Sequence, residues 1–549
     1  MKRIIVAVVA LFSATLCCSA QQRHNATYPD DPAYHQLQEG ERGEVIKIKD
    51  FRSEKYFPGT VRDVFVYIPR QYTGEKPACL LVGLDGILMN ATTALDWMIA
   101  NNEVPVMIGV FITPGRILDG DKVIRYNRSN EWDTMSDRLA NFIEDEILPL
   151  AKNQTPSDGR KILISDDAND RAIYGASSGA IAAFTAAWFR PDLYNRVYSG
   201  VGTYIAFRGG NEYPALVRKS EPKPIRIFLQ DGKYDTWNPS FGDWYEQNLL
   251  MESALDFAGY EMTYKWDRGG HSITHGTNLF PDAMRWLWKG WPERIRGGKS
   301  GNSYVQSIID PQKKWIELAA VSQGASLTAL PGAKVTLQEG STASVLDKDG
   351  KLLEKIHLKR GENIIGAASD GTPLKSSSVP VKEAVKALVG DNGRMFVADA
   401  QGNIWNVEGK DKTVVGQCAG STVDIAVYPD WSILAQGQSG TNWVRSYVCD
   451  GRNLSYGQDF YFLHSQGGRM AFDTAGLMYA ATPTGVQICD QNGRVRVIMS
   501  TPSLKIDDIA LSGNFIWIIS AGKLWVREIL HEGYVPCQKV QTPKSEGEG

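Results

Sequence analysis

A chain of 549 residues exceeds one compact core and predicts two or three domains. Its 43% hydrophobic, 22% charged and 10% aromatic content is that of globular protein, which excludes disordered, collagen-like and coiled-coil chains. Against 59 Lys plus Arg stand 62 Asp plus Glu, a net charge of -3, so no basic excess is available to hold a phosphate backbone and no nucleic acid partner is expected.

Residues 1–20 read as a cleavable export signal: Lys2 and Arg3, an apolar run over 4–12, then small residues ending Cys18-Ser19-Ala20. The run is too short for a membrane span, and the small-x-small ending predicts cleavage before Gln21 and a secreted or periplasmic location. Lipid anchoring through Cys17 or Cys18 is the weaker alternative, because bulky Leu16 precedes Cys17. Beyond the signal remain Cys79, Cys418, Cys449, Cys489 and Cys537, an odd set with no CxxC spacing. Cys79 lies in an apolar run and reads as a small buried hydrophobe, while the four later cysteines leave room for one or two disulfides.

From about residue 40 to 290, β-rich runs alternate with helical stretches, the pattern of an α/β sheet with helices on its faces. The segment 61–69 alternates like a half-buried strand, and 78–84 and 104–112 are continuous apolar runs suited to buried strands. A helix is expected over 136–148 with Pro149 as its stop, and another over 280–288. The glycine- and serine-rich stretch within 296–313 reads as a linker. Beyond it, over 314–543, short β segments preceded by turns recur before Met395, Ser432, Met478 and Phe515, about every 40 residues, a spacing that suits propeller blades. Four such units fall between 380 and 535, with 314–375 supplying another blade or a small sandwich, and 544–549 is a polar tail expected to be disordered.

The sharpest chemical signal is Gly175-Ala176-Ser177-Ser178-Gly179, a G-x-S-x-G set between an apolar strand and a helix. Glycines at those positions permit a sharp turn that lifts the Ser177 hydroxyl above the sheet. A serine hydroxyl is a poor nucleophile at neutral pH, so it needs a histidine base and an orienting carboxylate, in the chain order Ser, acid, His. His271, after the expected strand 262–266, is the candidate base; His275 is a substitute or a pocket residue. Asp235, beyond the strand 225–229 and a glycine turn, is the preferred acid, with Asp231 and Asp243 as competitors. The oxyanion donors are expected from the backbone N–H groups of Ser178 and of Gly86 in the turn after the first central strand. This chemistry requires no metal and no cofactor.

Together Phe57-Pro58-Gly59-Thr60-Val61-Arg62-Asp63, Asp85-Gly86, Arg128-Ser129-Asn130-Glu131-Trp132-Asp133, the Ser177 elbow, Leu229-Gln230-Asp231-Gly232 and Gly269-Gly270-His271 resemble an esterase group of the α/β-hydrolases. That group holds the feruloyl and acetyl xylan esterases, the enterobactin esterases and the esterase D type. Leu84 departs from it, standing where related sequences often have Gln. The resemblance implies an α/β-hydrolase domain over 21–295 with Ser177, Asp235 and His271 as catalytic triad. The region 314–543, through Val397-Ala398-Asp399 and the segment 479–490, resembles the gluconolactonase-type propeller. Working lactonases of that type hold a divalent metal through oxygen ligands. Glycines at Gly467 and Gly468 replace an acidic ligand there, so the propeller is expected to be catalytically silent and metal-free.

The expected protein is therefore an α/β-hydrolase domain followed by an all-β propeller-like domain, a secreted serine esterase removing acetyl or feruloyl groups from plant polysaccharide or oligosaccharide. Its expected partner is the esterified carbohydrate. Asp85, Arg128, Glu131, Trp132, Trp237, Trp244 and His275 are the expected pocket residues, with core packing as the alternative for the three tryptophans and a structural ion pair as the alternative for Arg128 and Glu131. Hydrolysis of a siderophore ester, or carbohydrate binding by the propeller beside a vestigial hydrolase, are the alternatives.

Overall fold

The computed structural model describes residues 30–417 and 422–539. The leader expected at 1–20, Cys418 and the tail expected at 544–549 lie outside them. The chain divides into two units, the first ending at Lys299 and the second comprising Lys219–Glu221 and the residues from Ser300 onward.

In the first unit the β-rich runs pair into one mixed sheet of ten strands. These are β1 Glu44–Arg52, β2 Val61–Ile68, β3 Cys79–Leu84, β4 Met107–Ile112, β5 Arg116–Asp119, β6 Lys122–Tyr126, β7 Arg171–Ala176, β8 Arg196–Gly200 and β9 Arg226–Gly232, followed, after a separate hairpin of β10 Trp237–Asn238 and β11 Gly242–Asp243, by β12 Glu261–Asp267. Their spatial order is β12-β9-β8-β7-β3-β4-β2-β5-β6, with β1 beside β2. Neighbours from β12 to β4 run parallel, while the β1, β2, β5 and β6 side is antiparallel. Strands β3, β4, β7, β8 and β9 are buried at every residue, as parallel strands covered by helices on both faces must be. Leu81, Met107, Tyr174, Phe228 and Phe280 share one core cluster of this unit.

Two helices depart from expectation. Instead of stopping at Pro149, the helical path runs through Arg138–Phe142, a wider π-turn at Ile143–Ile147 and on through Leu148–Lys152. Pro149 falls in the first turn of that last segment, where an intrahelical N–H is not required, so it does not break the path. The helix expected over 280–288 starts earlier and spans Ile273–Trp288, capped by Ser272, whose side chain accepts the Thr274 N–H at 3.2 Å. Gly276 and Pro281 interrupt its apolar pattern and hid the first two turns.

The second unit is a five-bladed propeller-like arrangement of small antiparallel sheets. Four are four-stranded, formed by strands within 326–357, 384–417, 422–462 and 470–499. The fifth joins Ile506–Ser520 and Lys523–Gly533 to Ile316–Ala320, so the first strand of the unit pairs with its last and closes the ring of sheets. The segment 314–375 thus supplies one blade, the fifth blade's closing strand and a short hairpin of Ile364–Ala367 with Pro373–Lys375. The stretch expected as a linker, 296–313, holds a helix Ser303–Ile308 capped by Asn302, with Val305, Ile308 and Ile309 buried in this unit's core. The neighbouring glycines and serines obscured that short apolar face. Cys79, Cys489 and Cys537 are buried and Cys449 partly so, and these four described cysteines are free thiols rather than disulfides. No helix of the described residues is long and apolar enough to cross a membrane.

Candidate active site

Parallel strands deliver their following loops to one edge of the sheet, and the candidate residues sit there. Ser177 follows β7, Asp85 follows β3, Asp235 lies just beyond β9 and His271 just beyond β12. At Ser177 the backbone takes φ 58° and ψ -123°, a region costly for a residue with a side chain, between β7 and the helix Ser178–Phe189. The turn is tight enough that a Cβ on Gly175 would lie 2.3 Å from the Gly179 carbonyl oxygen. Glycine at position 175 is therefore a packing requirement of the elbow.

Ser177 Oγ is 2.9 Å from His271 Nε2, and His271 Nδ1 is 2.7 Å from Asp235 Oδ1. The Asp235 side chain is fully buried, which concentrates its field on the imidazole, whereas the His271 ring is partly exposed. The Thr236 N–H also donates to Asp235 Oδ1. Ser177 Oγ lies 3.2 Å from Thr203 Oγ1, which in turn accepts the Trp244 indole N–H at 3.1 Å. The Trp244 ring meets the His271 ring edge to face at 5.6 Å. Of the competing acids, Asp243 caps the helix Trp244–Phe257 by accepting the Glu246 N–H, and Asp231 lies in β9 with its oxygens on the Gly232 N–H and Asn248 Nδ2. His275 is buried, its Nδ1 2.5 Å from Gln230 Nε2 and 3.2 Å from Asp267 Oδ1, and burial pushes its pKa down to about 4.

The expected pocket residues separate into two groups. Asp85 and Arg128 line a small cavity of about 210 Å³ with Leu88, Ser177, Val201, His271 and Ile273. They are clamped together, Arg128 Nε and Nη2 donating to the two Asp85 oxygens at 2.7 and 2.8 Å, and the Trp132 indole adds a bond to Asp85 Oδ1 at 3.0 Å. Trp132 is itself fully buried, so it supports the Asp85 turn and presents no face to a ligand. Glu131 is buried too: it takes two bonds from Arg62 at 2.7 and 2.9 Å, one from the Gly115 N–H and one from Asn127 Nδ2. Trp244 is nearly buried behind His271, whereas Trp237 is 67% exposed on the β10–β11 hairpin.

Gly86 cannot offer its amide, because that N–H donates to the Ile112 carbonyl at 3.0 Å. The next amide in the turn, Ile87 N–H, has no acceptor among the described residues. Ser178 opens its helix, so its N–H lacks an intrahelical acceptor. Sequence reasoning preferred Gly86 to Ile87 within the turn 84–87 and passed over Thr203 and Asn248; position just after a parallel strand is the signal that could have drawn attention to Thr203. In the second unit, Lys386 Nζ and Arg469 Nη1 lie 3.5 and 3.7 Å from Asp424 Oδ1, and Arg469 Nε lies 4.0 Å from Asp508 Oδ1. A carboxylate already faced by two cationic side chains, as Asp424 is, does not fit the oxygen set a divalent metal needs.

A family model described as "Putative esterase" matches residues 57–261, a span that includes Ser177 and Asp235 and ends before His271. Among solved structures, the enterobactin esterase from Shigella flexneri is 22% identical, covering 48% of this chain and 63% of that one with a TM-score of 0.36. A ferulic acid esterase is 17% identical over 45% of this chain and 99% of that one, TM-score 0.34. A gluconolactonase from Xanthomonas campestris is 12% identical over 41% of this chain and 93% of that one, TM-score 0.36. No curated protein sequence matches the chain. Over residues 57–261 the first unit is an esterase-family domain, which supports hydrolysis of carboxylic esters as its reaction.

Proposed function

We propose that the protein is a serine carboxylesterase, exported by its leader, that removes small acyl groups such as acetyl or feruloyl from esterified plant polysaccharide or oligosaccharide. The observation that carries this reading is the hydrogen-bonded line from Ser177 Oγ through His271 to the buried Asp235, mounted on a positive-φ elbow. In that reading Ser177 attacks the ester carbonyl while His271 Nε2 takes its proton. The negative oxygen is held by the amides of Ser178 and Ile87, the latter taking the place first expected of Gly86. His271 then returns the proton to the departing alcohol, Asp235 holding the ring in place and balancing its charge. Water, activated by the same histidine, releases the acid and restores Ser177. The clamped Asp85–Arg128 pair leaves a pocket rim with little net charge, which suits an uncharged ester. The exposed Trp237 offers a sugar-facing surface.

The test is a serine-directed phosphonate together with Ser177→Ala. Wild-type protein is expected to be labelled at Ser177 and to hydrolyse p-nitrophenyl acetate, and Ser177→Ala to lose labelling and about 10⁴-fold or more in kcat. Absence of both labelling and turnover in the wild type overturns the proposal. Acetylated xylan, a feruloylated oligosaccharide and a siderophore triester, compared by kcat/KM, assign the acyl group. Mature protein beginning at Gln21 in the culture medium or periplasm tests export.

A further inference from the structure

The hydroxyl of Thr203 lies 3.2 Å from Ser177 Oγ, and the neighbours of the two oxygens fix the direction of that bond. The Asp235 carboxylate can only accept, so the hydrogen between it and His271 sits on Nδ1, and in the neutral ring Nε2 is then a bare acceptor. Ser177 therefore spends its own proton on His271 Nε2, at 2.9 Å, and has none left for Thr203. At Thr203 the indole N–H of Trp244, which can only donate, takes one lone pair of Oγ1 at 3.1 Å. The Thr203 proton remains to be placed, and Ser177 Oγ is its acceptor among the described residues. The hydrogen bonds thus all point one way, from Trp244 to Thr203 to Ser177 to His271 to Asp235. Thr203 is buried, its backbone N–H donates to the Ser177 carbonyl at 3.3 Å, and the Gly202 carbonyl before it accepts Asn248 Nδ2 at 2.8 Å. The loop after β8 is thereby tied to the backbone of the serine it serves.

We propose that Thr203 is a fourth catalytic residue whose hydroxyl donates to Ser177 Oγ, and that Trp244 is a positioning residue that turns this hydroxyl toward the serine. The inference rests on the serine-esterase reading and assigns the added donor to one half of the reaction. Ser177 Oγ carries Cβ, its proton and two lone pairs; with one lone pair held by Thr203, the other is left to attack the ester carbonyl. In the second half, water adds to the acyl carbon and gives a proton to His271 Nε2, and the bond from that carbon to Oγ breaks. The electron pair goes to Oγ, which takes the proton back from His271, and the Thr203 O–H supports the charge that gathers there. In the first half the same bond draws electron density from the attacking oxygen, so its ordering effect is partly offset. Its loss slows deacylation more than acylation.

With p-nitrophenyl acetate, whose activated leaving group makes acylation fast, the burst of p-nitrophenol reports acylation and decay of the acetyl-enzyme, followed by intact mass, reports deacylation. In the full chain Thr203→Val is expected to slow deacylation about 10-fold and acylation about 3-fold or less, so that kcat and KM fall together. Thr203→Ser, which keeps the hydroxyl, is expected to hold both rates within about 3-fold of wild type. Trp244→Phe keeps a ring beside His271 without the N–H and is expected to slow deacylation about 3-fold; unchanged deacylation in it overturns the part given to Trp244. Equal slowing of both halves by Thr203→Val, or Thr203→Ser as impaired as Thr203→Val, overturns the proposal. If Thr203→Val does not fold, Thr203→Ala is judged by the same two rates. A wild type that forms no acetyl-enzyme ends the esterase reading, whereas a wild type that forms it beside a Thr203→Val with unaltered deacylation sinks this inference alone.

Discussion

At the scale of single residues, the Arg62–Glu131 pair shows how a motif position can serve the site from behind it. Both side chains are fully buried, and Glu131 collects donors from Arg62, Asn127 and the Gly115 backbone. Removing one member leaves the other charged and unpaired in the interior, at a cost of about 3–5 kcal/mol. Glu131→Ala is therefore expected to lower unfolding free energy by that order in urea titrations. Replacing both residues by apolar ones of similar volume should recover much of it. A Glu131→Ala variant with wild-type stability and a raised KM would instead return Glu131 to the substrate pocket. Ser177, Asp235 and His271 were readable as candidates because each is a chemically distinctive residue in a loop that follows a strand of the sheet. For Glu131 and Trp132 a pocket role and a structural one stayed open, and the structure matches the structural one; the sequence could not decide, because their partners Arg62 and Asp85 are distant in sequence and a polar motif reads the same whether it faces substrate or interior.

At the scale of elements, the strand–turn–helix around Ser177 depends on contact between its own glycines. An alanine at 175 would press its Cβ into the Gly179 carbonyl, a backbone atom that cannot move without shifting the first turn of the helix. Overpacking of this kind costs about 1–3 kcal/mol. The displacement would also carry Ser177 Oγ and the Ser178 amide away from the reacting centre, and small misplacements there are expensive in rate. Gly175→Ala is expected to lower the melting temperature modestly and kcat by about 100-fold or more, measured on a soluble ester. A variant with unaltered kcat would show that the elbow has slack the geometry does not reveal. The turn was readable because glycine spacing is a local signal. The path through Pro149 was not, because a π-turn that relocates proline into a helical first turn has no periodic signature.

At the scale of the whole molecule, the chain holds two units with separate apolar cores, one around Leu81, Tyr174 and Phe280 and another around Tyr479, Ile488 and Ile518. Separate cores predict two transitions in calorimetry rather than one cooperative melt. Each unit also contains a histidine that folding keeps from its proton. Burial pushes the pKa of His275 down to about 4, and burial together with the Lys219 ammonium does the same to His464. In the unfolded chain both titrate near the ordinary value of 6.5. The folded pKa is the lower one, so the unfolded state binds the extra proton first. Stability from this source is unaffected above about pH 6.5, declines as pH falls toward about 4 and levels off below that. The full shift corresponds to at most about 3 kcal/mol for each histidine, less where water reaches the ring. Both transitions are therefore expected to move to lower temperature between pH 6.5 and 4. His275→Gln should flatten that slope in one transition only, and His464→Gln in the other. A single transition, or one in which either variant flattens the whole profile, would mean that the two units do not unfold as separate cores.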